Sequence, residues 1–303
     1  PDYLNMLGTA LITWGRLEEA EARIRQAIAA SPGSAVSHSN LALVLRRQGR
    51  LQDAEAALRR ALELAPGSPK ILNNLGVSLL DQGKAVAAAA IFVQVLEHDP
   101  SYAAAHNNLG LALFQRGDSS GAISRMRQAI GLDSGLADSH ANLASALLVE
   151  GRFDAAAEHI EKALELVPGD AQAQALALNK SLFVCQWGRA EQLASAVTAA
   201  TDAALADRRR PAESPFLNVI RDPDPWRNLA VARAWSVDLN QRGGALAEAK
   251  KPRAGRHRLV VGYLSSDFFE HATSRLMTGL LEAHDSRQFD VRAYSYGPDD
   301  SSE

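Results

Sequence analysis

The chain has 303 residues, 47% hydrophobic and 22% charged, a composition ordinary for a globular protein and sufficient for about two domains. Its 32 Lys and Arg stand against 35 Asp and Glu, and aromatic residues make up only 6%. Neither the basic footprint nor the stacking surface of a nucleic-acid or anionic-membrane binder is present.

Cys185 is the sole cysteine, which excludes an internal disulfide and fits a reducing, cytoplasmic setting. The longest apolar run, residues 85–93, is far too short to span a bilayer. The chain starts at Pro1 and stops in the polar run 299–303, and is expected to be a piece of a longer protein.

From the first residues a period of 34 is visible. Ala20, Ala54, Ala88, Ala122 and Ala156 keep it, as do Gly15, Gly49, Gly83, Gly117 and Gly151, and Leu7, Leu41, Leu75, Leu109 and Leu143. Pro32, Pro66, Pro100 and Pro168 close their units, with Ser134 in the remaining place. Small residues let two helices approach closely, Leu fills the seam, and Gly and Pro punctuate the turns. The spacing predicts two helices of about 12–14 residues per unit, five units over residues 1–170. This pattern resembles the tetratricopeptide repeat, which implies helix pairs stacked into a right-handed superhelix with a concave inner surface.

On the inner helix of each unit a polar residue recurs, at Asn40, Asn74, Asn108 and Asn142, with Asn73 and Asn107 beside two of them. A carboxamide both donates and accepts, which suits an extended peptide backbone, so these residues are candidates for binding an acceptor polypeptide in the groove. The alternative is that they bridge neighbouring helices. His38, His106 and His140 also share one register. Stacked repeats hold such residues too far apart to share one metal ion, so they are read as packing between helices and no metal site is expected.

After Pro168 the pattern degrades. Residues 171–184 and 190–206 read as helices, with Trp187 and Gly188 at the turn between them. The basic run 208–210 reads as a solvated helix end, residues 226–242 as another helix, and residues 243–256 as a polar linker. Residues 171–257 are therefore a degenerate repeat, capping helices and a linker.

At residue 258 the composition changes. Residues 259–264 form an apolar run typical of a buried parallel strand, residues 273–284 have helical spacing, and residues 289–296 read as a second strand. That is the first β-α-β unit of an α/β Rossmann-like domain, residues 258–303, appended to a mostly α superhelix. Ligands bind such sheets at the carboxyl ends of the strands, here the stretch 265–271. No G-x-G-x-x-G follows the strand, so dinucleotide binding has no support.

Repeats running into Val261-Gly262-Tyr263-Leu264-Ser265-Ser266-Asp267-Phe268, then His271-Ala272-Thr273-Ser274, form a specific combination. With the segments 183–187 and 294–300, it resembles the O-linked N-acetylglucosamine transferases over essentially the whole chain. The resemblance implies a GT-B architecture and inverting, metal-independent transfer of N-acetylglucosamine from UDP-GlcNAc to Ser or Thr hydroxyls, with no cofactor. It places His271 in the active site, where an imidazole near neutrality can take a proton or donate a hydrogen bond; its alternative is a helix-start cap. Ser266, Asp267 and Thr273 are candidates for the active-site wall, Asp267 equally for ordering its loop. Arg275 stands where many members carry another His. The groups holding UDP belong to a second lobe past residue 303. The competing readings are a non-catalytic repeat scaffold for protein interaction, and the same fold using another sugar nucleotide.

Overall fold

The computed structural model describes residues 1–207, 209–243, 259–265 and 289–295. The chain divides into two units, Pro1–Leu246 and Ala247–Glu303.

Among its described residues the first unit holds fourteen helices. Its first five repeats are the pairs α1 (Asp2–Thr13) and α2 (Leu17–Ala30), α3 (Ala35–Arg47) and α4 (Leu51–Leu64), α5 (Pro69–Asp81) and α6 (Ala85–His98), α7 (Ala103–Gln115) and α8 (Ser119–Leu132), and α9 (Ala137–Val149) and α10 (Phe153–Leu166). All ten are 12 to 14 residues long, as the period predicts. Helix starts are fixed by local chemistry where the sequence supplies it. Ser34 accepts from the Ser37 amide and Asp118 from that of Gly121, while Pro69 opens α5.

Each helix pair packs on itself and on the next pair, and the odd-numbered helices α1 to α11 also touch one another in succession. The period-34 alanines Ala20, Ala54, Ala88, Ala122 and Ala156 are fully buried, and so are Ala27, Ala61, Val95, Ala129 and Ala163. A second periodic feature emerges only in three dimensions. Gly8, Gly76 and Gly110 face Ile24, Phe92 and Met126 sixteen residues on, and Ala42 and Ala144 hold the same register against Leu58 and Ile160 in the sequence. A Cβ built on Gly76 would lie 2.4 Å from the Phe92 ring, and one on Gly8 would lie 2.5 Å from Ile24. Large and small residues thus interlock across the two helices of a unit.

A sixth pair follows, α11 (Ala171–Phe183) and α12 (Trp187–Ala206). The second helix starts three residues earlier than the sequence pattern predicts. Trp187 is its first residue rather than part of the turn, because the turn closes at 184–186. There the Gln186 amide donates to Ser181 O, as Arg152 does to Leu147 O in the fifth unit. Cys185 occupies the place of Gly151 and adopts φ 57, against 70 for the glycine. A left-handed conformation costs a non-glycine residue about 1–2 kcal/mol, partly offset by the extra chain entropy of glycine. Cys185→Gly is therefore expected to stabilise the sixth unit by about 0.5–1 kcal/mol. Chemical denaturation measures this, and a loss of stability would contradict it.

Beyond α12 lies a helix absent from the sequence reading, α13 (Pro215–Arg221), capped by Ser214 Oγ on the Leu217 amide. Next comes α14 (Pro225–Gly243). The 208–210 run is not merely solvated: Arg210 stacks over the Trp235 ring at 4.5 Å, and Arg209 pairs with Asp207. Glu213, 1% exposed, organises this corner. Its carboxylate accepts from Thr201 of α12 and from Arg221 of α13, and its carbonyl accepts from the Trp235 indole N–H of α14.

In the second unit, β1 (Leu259–Ser265) and β2 (Phe289–Ser295) pair in parallel from Leu259↔Phe289 to Ser265↔Ser295. A parallel pair requires a crossover connection. The helix predicted at 273–284 and the linker at 243–256 lie outside the described residues, apart from Gly243 itself. Among the described residues no helix is long and apolar enough to cross a membrane.

Candidate functional site: the polar register between repeats

Three polar positions recur along the array, and the structure assigns each a different set of partners. The first is the asparagine series. Asn74 donates from Nδ2 to Ser39 Oγ at 3.2 Å, Asn108 to Asn73 Oδ1 at 3.0 Å, and Asn142 to Asn107 Oδ1 at 3.2 Å. Each bond runs to the preceding repeat. Asn142 Oδ1 in turn accepts from Gln172 of the next unit at 3.3 Å. Asn40 makes no side-chain hydrogen bond among the described residues. All four are half-buried. A carboxamide carries two N–H donors, so Asn74, Asn108 and Asn142 each retain a second donor after bridging the repeats. These bonds tie successive repeats together from the second unit to the sixth, and the half-buried carboxamides keep hydrogen-bonding capacity beyond them.

The second position is the histidine register. His38, His106 and His140 were expected to pack between helices, and His140 of α9 does pack on His159 of α10, ring centroids 5.2 Å apart. Each of the three turns its Nε2 back to the carbonyl six residues earlier, on Pro32, Pro100 and Ser134, at 3.2, 3.0 and 3.3 Å. Gln174 makes the same bond to Pro168 O at 2.8 Å. The side chain clamps the inter-repeat turn to the helix that follows it. Ser134 O only accepts, so His140 carries its proton on Nε2. Its Nδ1 then accepts from His159 Nδ1–H at 3.0 Å. Burial holds both rings below their ordinary pKa, with Lys162 acting further on His140, and His140 and Arg127 on His159.

The third position was missed in the sequence: an acidic residue on the second helix of a unit, gripped by the next unit. Glu21 accepts from Arg25 at 2.8 Å, from Gln48 at 3.0 Å and from Arg50 at 3.0 Å. Glu55 repeats the arrangement with Arg59 at 2.8 Å, Gln82 at 2.9 Å and Lys84 at 3.0 Å. The signal was available in the 34-residue spacing of Glu21 and Glu55 and of Gln48 and Gln82, but it spans only two units and is outweighed by the apolar series. Burial raises the Glu55 pKa. The three donors more than offset it and leave the carboxyl at about 2, below its ordinary 4.5. Glu21 is lowered by the same balance.

A carboxyl depressed on folding contributes stability that is complete above about pH 4.5 and disappears as pH falls towards about 2. Glu55→Gln is accordingly expected to lower the thermal midpoint at neutral pH and to flatten its fall across that window. Thermal unfolding followed at a series of pH values checks this, and an unaltered pH profile would contradict it.

Ser266, Asp267, His271 and Thr273 lie outside the described residues. Described backbone reaches Ser265 at the carboxyl end of β1, immediately before them.

Comparison with protein families matches residues 5–69 and 73–137 to one tetratricopeptide-repeat model, and residues 113–179 to a second. Residues 242–303 match glycosyl transferase family 41. Among curated proteins nothing matches the chain. Among solved structures, pilF of Pseudomonas aeruginosa is similar at 18% identity with a TM-score of 0.55, over 78% of this chain and 96% of that one. A thermophilic TPR protein of Thermus thermophilus is similar at 23% identity and TM-score 0.55, over 60% and 98%. The Cut9–Hcn1 hetero-tetramer of APC/C is similar at 18% identity and TM-score 0.59, over 76% of this chain and 42% of that one. At these identities the likeness shows the fold: a tetratricopeptide-repeat array.

Proposed function

We propose that a repeat array leading into a segment similar to glycosyl transferase family 41 serves a cytoplasmic protein glycosyltransferase, with the array as its acceptor-binding part. The observation that carries this reading is the family match at 242–303 directly following the repeats. In this reading β1 and β2 open a Rossmann-like lobe of a GT-B enzyme. The reaction is inverting and metal-independent transfer of N-acetylglucosamine from UDP-GlcNAc to Ser or Thr hydroxyls. Repeats of this kind recognise extended polypeptides. The remaining carboxamide donors of Asn74, Asn108 and Asn142, with Asn40, would hold an acceptor backbone. His271, following a strand end, would accept or share a proton at neutral pH, with Ser266, Asp267 and Thr273 around it.

The test is sugar transfer by the complete protein to protein acceptors, using a panel of labelled UDP and GDP sugars. Transfer from UDP-GlcNAc is expected. Asn108→Ala is expected to weaken use of protein acceptors while leaving donor hydrolysis intact. His271→Ala is expected to reduce transfer far more than it reduces stability. Transfer from none of the donors would leave the non-catalytic scaffold as the better reading, and transfer from a different donor would replace UDP-GlcNAc.

A further inference from the structure

The five inter-repeat junctions of the array differ at the acidic position, and the fourth is left incomplete. At the first two junctions, a half-buried Glu (21 or 55) meets an Arg four residues on, and a Gln and a basic residue 27 and 29 residues on. At the third junction the acid is replaced by Ala89, and the Arg is lost with it, to Val93. At the fourth the acid is replaced by Ile123, yet both cations are kept: Arg127 four residues on and Arg152 twenty-nine residues on. Glu150 stands in the Gln place.

These residues line an open cleft of about 520 Å³ between α8 and the turn before α10, with Ser120 and Ser124 on its wall. Neither Arg127 nor Arg152 has a hydrogen-bonded or ion-paired partner among the described residues. The cleft therefore presents two guanidiniums around the place where Glu21 and Glu55 put a carboxylate at the first two junctions. Guanidinium forks match a carboxylate in geometry and charge. Glu150 reduces the excess to a single positive charge, which matches one carboxylate and disfavours a polyanion.

We propose that this cleft is a recognition site for a carboxylate group supplied by another molecule, either an acidic side chain of a bound polypeptide or a free small acid. The inference goes beyond the transferase reading and does not depend on it.

The test is NMR of the complete protein labelled with ¹⁵N-arginine, its side-chain Nε–Hε signals assigned by their loss in Arg127→Gln and Arg152→Gln. The probes are sodium propionate and, separately, a capped peptide carrying one glutamate. Both are titrated against sodium chloride at equal ionic strength. The Arg127 and Arg152 signals are expected to shift with either probe at millimolar concentration. Each Arg→Gln variant is expected to weaken the response of the remaining arginine about tenfold. Tighter binding of the peptide would identify a polypeptide as the source, and tighter binding of propionate a free acid. A second variant, Ile123→Glu with Glu150→Gln, rebuilds the Glu, Gln, Arg and Arg set of the first junction. It is expected to abolish the response to both probes. Shifts no larger than those with chloride, or an undiminished response in the rebuilt variant, would overturn the proposal.

Discussion

Replacing Glu213 with alanine is expected to destabilise the corner formed by α12, α13 and α14 by about 3–5 kcal/mol. The Glu213 side chain is fully buried and that of Arg221 is 14% exposed. Removing the carboxylate therefore leaves a guanidinium in a poorly hydrated place. Arg221 would keep only Thr198 Oγ1, 3.0 Å from Nη1, and the Thr201 hydroxyl would lose its acceptor. Coulombic attraction at such a site does little more than offset the cost of desolvating both ions. The paired replacement Glu213→Leu with Arg221→Met is thus expected to cost far less than either single loss. Because repeat arrays unfold in parts, hydrogen exchange at the α13 and α14 amides is the better readout than a global midpoint. Protection there is expected to fall in Glu213→Ala while the amides of α3 to α8 are unchanged. Equal loss across the array, or none, would show that the pair does not hold the corner.

Gly76→Ala is expected to destabilise the third unit by about 1–3 kcal/mol, although alanine is the better helix former. The added methyl would stand 2.4 Å from Phe92 Cε1 and 2.7 Å from Cζ, and Phe92 is fully buried with no room to withdraw. Phe92→Leu in the same chain relieves the clash. The double variant should therefore be more stable than the sum of its single losses predicts, by a coupling of about 0.5–3 kcal/mol. Gly33→Ala is a control, because a Cβ there meets nothing within 4 Å. Chemical denaturation of the unaltered chain and the four variants decides the matter, and strict additivity would mean that the Gly76–Phe92 approach is not a tight packing contact.

Both predictions concern features of which the sequence showed only half. Gly76 and Phe92 each have a place in the repeat, but their mutual fit depends on how α5 lies on α6. Glu213 sits in a Pro-rich stretch that reads as a connector, and its role emerges only when Thr201, Arg221 and Trp235 converge on it. The sixth unit was legible as a helix pair yet looked degenerate, because Cys185 stands where the other units carry glycine. The backbone keeps the turn regardless of the side chain. The asparagines were identifiable by their spacing and bridging of neighbouring helices was one of two readings, whereas the acceptors they reach on the preceding repeat were not legible. A 34-residue period fixes which residues share a register but not whether a side chain reaches forwards, backwards or outwards. The histidines show the same limit: spacing placed them in one register but did not show that each reaches the carbonyl six residues earlier.

What the sequence determined by itself is the element type, length and number in the first five units. Small, large and turn residues at a fixed period allow only stacked helix pairs, since a single pair cannot bury its apolar face. It also determined the strand-forming character of residues 259–265, a nearly continuous apolar run with a polar exit, and of 289–295, where Phe289, Val291 and Ala293 alternate with Asp290 and Arg292. Tertiary structure alone decided which polar groups are satisfied and which are left open. Hydrogen bonds and ion pairs depend on distances of a few tenths of an ångström between residues 27 to 35 positions apart. The Arg register that closes on Glu21 at one junction lines an open cleft beside Ile123 at another.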